Sequence, residues 1–555
     1  MSTTTLRKYD DAVAARAEVT APRPSLAILR PETAALLLLL VLCAALRIVN
    51  LGALPVFIDE GTYAQAARIV GARPGPETLF ILSAHNFGFN PPLFSWVAAP
   101  FTRLVADPLL AARLASACIG TLGLVATWAV GRALRGPLVG LLAGLLYALS
   151  PFILFYNRLA MLDGLLATCG AGALFFAVRL RQRERARDAL CLGLCVAAGM
   201  LTKLFAVNML LLPLLAVALA ERPRRGAVSR GAAVAVALGV LPLFYVYQNG
   251  SGLHGHLNVQ GLAPTLRLVW GQVLSWGQAL WLYATPPVIL CAIVGLWAAR
   301  RERAGLLVGL WALLGAVTIV ATPNTLFAPR YALYIVVPIV VLGARGLLAL
   351  AETLHARLPG PLGRRAALWL PLAAAVTLVL LPAAAADATT VGAPLQAPLT
   401  PVDRWQYATG WPSGSTLTPD IAYLRRQAAR RPITVISEDI PLYMLQVVLY
   451  GDKNITWNEA NFDHPKELRA ILRGAARTAG ASNLYVVAHH ASGRALDRRL
   501  QPAGRPLLAD RALTVLVSSH GPDGVSIYEV YGVATHRTRC HNRTLFGVRV
   551  ESCTS

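Results

Sequence analysis

Long apolar runs alternate with short polar gaps over the first two thirds of the chain, and the last third is mixed in character. A helix needs about 20 mostly apolar residues to cross a bilayer. The runs therefore predict a polytopic α-helical membrane protein with about eleven transmembrane helices. The expected spans are residues 33–50, 111–130, 138–155, 164–178, 189–201, 205–220, 231–247, 279–298, 305–321, 331–350 and 366–386.

The polar gaps predict the orientation of these spans. Residues 179–187 (RLRQRERAR) and 222–230 are rich in arginine, and such gaps usually lie in the cytoplasm. We expect a cytoplasmic tail over residues 1–31, a transmembrane domain over 32–387 and an extracytoplasmic domain over 388–555. The first apolar run comes after a long polar segment without a small-residue cleavage site, so it is predicted to be a retained span. The expected location is the cytoplasmic (inner) membrane.

Composition agrees with this class and excludes another. The chain is 56% hydrophobic and 14% charged, with a mean hydropathy of +0.54. Its net charge of +23 would suit nucleic-acid binding, but many of the basic residues sit in gaps between spans. We therefore predict no nucleic-acid partner.

The last third of the chain is predicted to be a small α/β domain. Residues 420–430 have a helical pattern, and residues 433–437, 484–488 and 525–531 have strand patterns. The region has no glycine-rich nucleotide fingerprint and no enzymatic constellation. It contains two cysteines, Cys540 and Cys553, which an oxidising exterior would favour as a disulfide.

Two adjacent carboxylates come directly after the first span, in the sequence VFIDEGTYAQAARIV. Acidic groups at a membrane surface are costly, so Asp59 and Glu60 are candidate functional residues. The alternative is that Asp59 only caps the helix that runs to residue 70. Residues 90–105, which begin with NPPLFSW, are too short for a span and predict a helix lying on the membrane.

The outer ends of the predicted spans carry few other ionisable groups. Asp163 could be an N-cap, and Arg158 and Arg330 could reach lipid headgroups, so each has a structural alternative. Together they place acids and cations at one face and one depth, where a shared anionic ligand is the simpler explanation. The full set is Asp59, Glu60, Arg158, Asp163, Lys203, Arg267 and Arg330.

This set suits one type of reaction. A carboxylate can deprotonate a hydroxyl, while lysine and arginine can bind a phosphate. A sugar linked to a lipid phosphate would present its scissile bond at this depth. We therefore expect Asp59 as the base. Arg158, Lys203 and Arg330 are expected to contact the departing phosphate.

The chain resembles the GT-C glycosyltransferases of family 39, which include protein O-mannosyltransferases and the lipid A aminoarabinose transferase. The resemblance rests on FIDEGTYAQAARIV, NPPLFSW, RLAMLD, LTK and PRY, and covers about residues 36–350. DRWQYATGWPSG, at residues 403–414, resembles bacterial members with an outer C-terminal domain.

The resemblance implies several roles. The donor would be a sugar, hexosyl or pentosyl, on a polyprenyl phosphate. Asp59 would be the catalytic base, Asp163 a second functional acid and Tyr331 a donor contact. Asn90, beside Pro91 in the substrate loop, stands where the aminoarabinose transferase has lysine, so that phosphate contact is absent or supplied by Lys203 or Arg330. The WWDYG signature of oligosaccharyltransferases is missing, which disfavours an oligosaccharide donor.

Other classes remain open at this point. A transporter or flippase of a lipid-linked or anionic substrate would also have many spans, but with charges near the midplane. A scaffold or receptor would need no acid–cation set. Asp59 and Asp163, with His254 or His256, leave a divalent metal ion open. The sugar and the acceptor, whether protein, lipid or glycan, are not specified.

The predicted orientation is directly testable. Reporter fusions or cysteine labelling should place residues 179–187 and 222–230 in the cytoplasm and residues 403–555 outside, because arginine-rich gaps are retained on the cytoplasmic side. A reporter at Arg183 that is active only outside would contradict the orientation and the chemistry built on it.

Overall fold

We describe the protein from a computed structural model of the whole chain. The structure describes residues 31–81, 91–249, 262–283, 285–321, 328–357, 366–410, 412–415, 417–437, 439–460, 462, 465–489, 513–520, 526–533, 539–545 and 548–554. Helices dominate up to residue 410, and all the named strands lie after residue 430.

The first part of the chain is a bundle of helices, numbered here in chain order. They are α1 (Pro31–Ile48), α2 (Ile58–Ala72), α3 (Pro76–Leu79), α4 (Leu93–Ala98), α5 (Pro108–Arg135), α6 (Pro137–Ala148), α7 (Pro151–Asn157), α8 (Leu162–Arg183), α9 (Ala186–Met200), α10 (Leu211–Ala218), α11 (Arg225–Asn249), α12 (Leu262–Tyr283), α13 (Pro286–Ala299), α14 (Arg303–Ala321), α15 (Leu333–Arg357) and α16 (Ala366–Gly392). Short 3₁₀ turns, Ala99–Arg103, Leu204–Leu210 and Pro329–Ala332, come after α4 and before α10 and α15.

The helices confirm a multi-pass membrane protein. Within the described residues, seven helices are long and apolar enough to cross a bilayer, and nine spans result if each of two bent pairs counts as one. The predicted fifth and sixth spans form shorter helical segments, Ala186–Met200 and Leu204–Ala218. The short segment predicted over residues 90–105 contains α4 and the 3₁₀ turn after it.

The span predicted over residues 279–298 is not one straight helix. The chain bends by 103° between α12 and α13. Pro286 and Pro287 open α13, and proline has no amide hydrogen to continue the hydrogen-bond ladder of α12. The span predicted over residues 138–155 also bends, by 61°, where Pro151 starts α7. Hydropathy misses such bends because it reports composition and not direction.

The last part of the chain forms one mixed sheet of seven strands in the order β2-β1-β3-β5-β4-β7-β6. Its strands are β1 (Ile433–Ser437), β2 (Ile455–Glu459), β3 (Leu484–His489), β4 (Leu513–His520), β5 (Ser526–Val533), β6 (Arg539–Leu545) and β7 (Val548–Thr554). β1 pairs in parallel with β2 and β3, and the other pairs are antiparallel. The α/β character predicted for this region is confirmed.

Helices cover both faces of this sheet. Successive strand residues point to opposite sides, so neighbours on one strand contact different helices. The helices of this region are α17 (Pro401–Arg404), α18 (Thr418–Ala428), α19 (Asp439–Val448) and α20 (Pro465–Ala479). Val435 of β1 belongs to the apolar cluster formed with α18 and α19. Its neighbour Ile436 belongs to the cluster formed with α20.

The sheet region is tied to the helical region through α2 and α19. A side chain at Gly61 would place its Cβ only 2.9 Å from the backbone nitrogen of Met444, so the two helices approach closely because this residue is glycine. Gln65 donates a hydrogen bond of 2.9 Å to Gln446 a turn later. The helix that carries the Asp59–Glu60 pair is therefore packed directly against the last part of the chain.

The strand register supports the disulfide expected between the two cysteines of this region. Cys540 of β6 lies directly opposite Cys553 of β7. Directly opposite residues of an antiparallel pair have Cα atoms about 4.5–5.5 Å apart, within the range for a disulfide. We predict a Cys540–Cys553 disulfide that contributes at most about 3 kcal/mol, because it closes a short loop. Non-reducing peptide mapping should recover the cross-linked peptide. Free thiols at both positions would contradict it.

Candidate active site

A buried ion pair between Glu60 and Arg113 holds the segment that follows α1. The Glu60 carboxylate is fully buried and accepts from Arg113 Nε at 2.8 Å and Nη2 at 2.6 Å. It also accepts from the backbone N–H groups of Phe57, at 3.1 Å, and Ala160, at 2.7 Å. Arg113 additionally donates to the carbonyl oxygens of Leu51, Leu54 and Pro55. Glu60 thus joins α2, α5 and the turn before α8.

This arrangement places the preceding residue, Asp59, in the first turn of α2. The helix begins at Ile58 and its N-cap is Phe57, so Asp59 does not occupy the capping position. The capping interaction comes from Glu60, whose side chain reaches back to the Phe57 amide. The alternative in which Asp59 serves only as an N-cap therefore does not match the structure.

Four charged side chains from distant parts of the sequence alternate in sign at the start of α2. Asp59 Oδ2 accepts a hydrogen bond of 2.9 Å from Arg330 Nη2, across 271 residues of sequence. Arg330 Nε lies 3.8 Å from Asp163 Oδ2, and Asp163 Oδ1 accepts from Lys203 Nζ at 2.7 Å. These four residues were predicted to share one face, and the structure brings them together.

Exposure distinguishes the two acids of this cluster. The Asp59 side chain is 32% exposed, whereas that of Asp163 is 2% exposed. Asp163 sits in the first turn of α8, where the helix dipole stabilises a negative charge. Its Oδ2 atom and the Nε atom of Arg330 are buried and have no hydrogen-bond partner among the described residues. Asp59 is therefore the accessible carboxylate, and Asp163 is a buried partner of the cations.

Aromatic rings surround the two cations. Lys203 Nζ lies 4.1 Å from the centre of the Tyr331 ring, close enough for a cation–π interaction. Tyr331 in turn packs on Phe205, with ring centres 5.3 Å apart. Arg330 Nη1 donates a hydrogen bond of 3.2 Å to the hydroxyl of Tyr407. The cations are thus fixed by rings as well as by carboxylates.

Two of the predicted site residues lie outside this cluster. The Arg158 side chain is buried, and its guanidinium donates to the carbonyl oxygens at the end of α1. The acceptors are Leu46, Arg47, Val49 and Asn50. These contacts give Arg158 a role in capping α1 and do not support the predicted phosphate contact. Glu60 is likewise fully engaged by Arg113 and backbone amides, so it positions α2 and is not placed to react.

The other predicted residues can be placed only in part. Pro91 is buried just before α4. Asn90, His254 and His256 fall outside the described residues. Arg267 belongs to α12, in the helix that precedes the 103° bend.

The two carboxylates do not fit a metal ion as they stand. The guanidinium of Arg330 lies between Asp59 and Asp163 and contacts both, where a bridging cation would sit. In the described part of the chain, no group of three or more His, Cys, Asp or Glu side chains has the geometry to hold a metal.

Sequence reasoning missed a second cluster around Asp403. This residue is fully buried, and its Oδ2 accepts from the hydroxyls of Tyr156, at 2.6 Å, and Tyr283. Burial raises the pKa of Asp403 to about 6. Asp403 and Tyr407 both belong to the DRWQYATGWPSG stretch, for which the sequence predicts no role in the site. Arg113 was also missed, although an arginine inside a predicted span is itself a signal.

The fold matches known membrane glycosyltransferases. ArnT from Cupriavidus metallidurans in the apo state has a TM-score of 0.52 at 16% identity, covering 90% of this chain and 97% of that chain. The same protein bound to undecaprenyl phosphate has a TM-score of 0.53 at 17% identity, with the same coverage. The oligosaccharyltransferase AglB from Archaeoglobus fulgidus has a TM-score of 0.52 at 12% identity, covering 91% of this chain and 74% of that chain. The protein therefore has the GT-C glycosyltransferase fold.

A comparison with protein families adds a more specific match. Residues 90–247 match the family described as dolichyl-phosphate-mannose-protein mannosyltransferase. No curated protein sequence matches the chain. The resemblance to GT-C enzymes of family 39 is therefore confirmed, and the family match and fold together indicate a glycosyltransferase.

The buried ion pair yields a stability prediction. Glu60→Gln leaves Arg113 buried without its counter-charge, which typically costs about 3–5 kcal/mol. We expect a clear drop in melting temperature in detergent. Glu32→Gln is the matched control, because the Glu32–Arg132 pair is partly exposed and should contribute at most about 1 kcal/mol. Equal melting temperatures for the two variants would contradict the assigned role of Glu60.

Proposed function

We propose that this protein transfers a sugar from a polyprenyl-phosphate-linked donor to an acceptor hydroxyl on the extracytoplasmic side of the membrane. The observation that carries the proposal is the alternating cluster Asp59–Arg330–Asp163–Lys203, with its acid of greatest exposure at one end. The fold and the family match support the class, and one structure of a protein with this fold contains undecaprenyl phosphate.

In this proposal Asp59 is the general base. It takes the proton from the acceptor hydroxyl as the oxygen attacks the anomeric carbon of the donor. The bond between that carbon and the phosphate oxygen breaks, and the electron pair leaves with the polyprenyl phosphate. Asp59 suits this step because it is the exposed carboxylate of the cluster, while its hydrogen bond from Arg330 fixes its direction.

Arg330 and Lys203 are the proposed phosphate contacts. The cluster contains two carboxylates and two cations, so it is neutral before a ligand binds. A bound phosphate would add negative charge beside the ammonium of Lys203 and the Nε of Arg330, which has no hydrogen-bond partner among the described residues. These cations would stabilise the charge that develops on the leaving phosphate. Asp163 would hold both cations without reacting.

The proposal also specifies the side of the membrane that the site faces. The positive-inside rule supports a position of α2, and therefore of Asp59, on the face opposite the arginine-rich gaps. Acceptors on that side could be proteins, lipids or glycans. The description of the matched family names a protein acceptor, but the match covers only residues 90–247, so the proposal specifies only a hydroxyl.

The decisive substitution is Asp59→Asn. It preserves the shape of the side chain and an oxygen that can still accept from Arg330, but removes the basic carboxylate. A single general base contributes roughly 10²- to 10⁴-fold to rate. We therefore expect transfer activity to fall by at least about a hundredfold with little change in melting temperature.

Asp107→Asn is the matched control. Asp107 is an exposed N-cap that accepts from the amides of Leu109 and Leu110, and asparagine caps a helix as well as aspartate. This variant should transfer sugar at the wild-type rate. A stable Asp59→Asn protein with the same turnover as Asp107→Asn would refute Asp59 as the base.

A further inference from the structure

Residues 400–410 and 412–415, called here the 400–415 segment, reach back to the start of α2. The backbone N–H of Ile58 donates to the carbonyl of Pro412 at 3.0 Å, and that of Gly414 donates to Val56 at 2.6 Å. A Cβ at Gly414 would lie 2.8 Å from the Val56 oxygen, so this close approach depends on glycine. The segment therefore fixes the backbone immediately before Asp59.

Tyr407 connects the same segment to the cation of the site. Its side chain is 2% exposed, and its hydroxyl accepts from Arg330 Nη1 at 3.2 Å. Its ring packs on Phe57 and Phe155, with ring centres 4.6 and 5.3 Å away. Arg330 is therefore held at two nitrogens, by Tyr407 at Nη1 and by Asp59 at Nη2.

Asp403 anchors the other end of this aromatic group. The backbone N–H of Asp403 donates to the Thr400 hydroxyl at 3.2 Å, and its carboxylate accepts from Tyr156 and Tyr283. The Tyr156 ring packs on Tyr407 with ring centres 6.0 Å apart. Tyr283 is the last residue of α12, at the 103° bend. A continuous set of contacts thus runs from this bend to Arg330.

We infer that Tyr407 is a positioning residue that orients Arg330 for the leaving phosphate, and that Asp403 holds the aromatic group on which Tyr407 rests. The inference builds on the proposed function. An arginine side chain has several rotatable bonds, and fixing Nη1 and Nη2 sets the plane of the guanidinium. Its Nε, which lies 3.8 Å from Asp163 Oδ2 and has no hydrogen-bond partner among the described residues, is the donor left for the proposed phosphate.

Tyr407→Phe tests this directly, because phenylalanine keeps the ring contacts and removes only the hydroxyl. With undecaprenyl phosphate as the probe in native mass spectrometry, we expect the dissociation constant to rise roughly tenfold, as for a lost hydrogen bond to a charged group. In an Arg330→Ala background the same substitution should change binding by less than about twofold, since coupled residues are not additive.

Tyr423→Phe is the matched control. Tyr423 packs on Tyr485 within the sheet region, with ring centres 6.0 Å apart, and contacts the apolar cluster that β1 forms with α18 and α19. It should bind the probe like the wild type. Melting temperatures of all variants, measured in the same detergent, identify any general loss of packing.

The outcomes separate this inference from the proposed function. If the wild type binds undecaprenyl phosphate and Tyr407→Phe binds it equally well, the inference is wrong and the proposed function stands. Tyr407→Phe could instead weaken probe binding equally in the wild-type and Arg330→Ala backgrounds and also lower the melting temperature. Tyr407 would then be only a packing residue, and the inference would be wrong. A wild type that does not bind the probe would refute both.

Discussion

The site depends on one buried ion pair. Glu60 and Arg113 are both excluded from solvent, and together they satisfy the amides of Phe57 and Ala160 as well as carbonyls of the loop before α2. A buried charge pair is stable only when its remaining hydrogen-bonding groups are also satisfied. That requirement brings α2, α5 and the turn before α8 to a fixed separation. Asp59 and Asp163, each next to this frame, are placed as a consequence.

Arg330 is the second constraint, because it is the group through which the separate segments meet. It bonds Asp59 from α2 and Tyr407 from the 400–415 segment, and it faces Asp163 from α8. A guanidinium presents donors in several directions within one plane, which lysine cannot do. The part of the chain after residue 400 therefore contributes to the arrangement of the site through Tyr407, although none of the four charged residues of the cluster lies in it.

The sequence predicts well which segments are helical and which charged residues form a group. It predicts poorly where the helices bend and which distant segments come into contact. Apolar length located the helices, and the rarity of charges outside the arginine-rich gaps identified Asp59, Asp163, Lys203 and Arg330 as a group. Arg158 was included on the same grounds, but it caps α1. The contacts that a charged side chain makes in the fold distinguish Arg158 from the residues of the cluster. A pattern along the chain does not contain this information. The 103° bend before α13 is a matter of direction, and the contacts of Asp403 join segments more than a hundred residues apart, so both were missed.

The central claim is that the cluster binds a polyprenyl-phosphate-linked sugar, and mass spectrometry of co-purified lipids tests it most directly. An Asp59→Asn protein keeps both proposed phosphate contacts but lacks the proposed base, so it should accumulate the intact donor during expression. We expect a polyprenyl phosphate carrying a sugar on that protein, and its loss when Lys203→Ala and Arg330→Ala are added. Preparations that carry only bulk phospholipid, with or without these changes, would contradict the account.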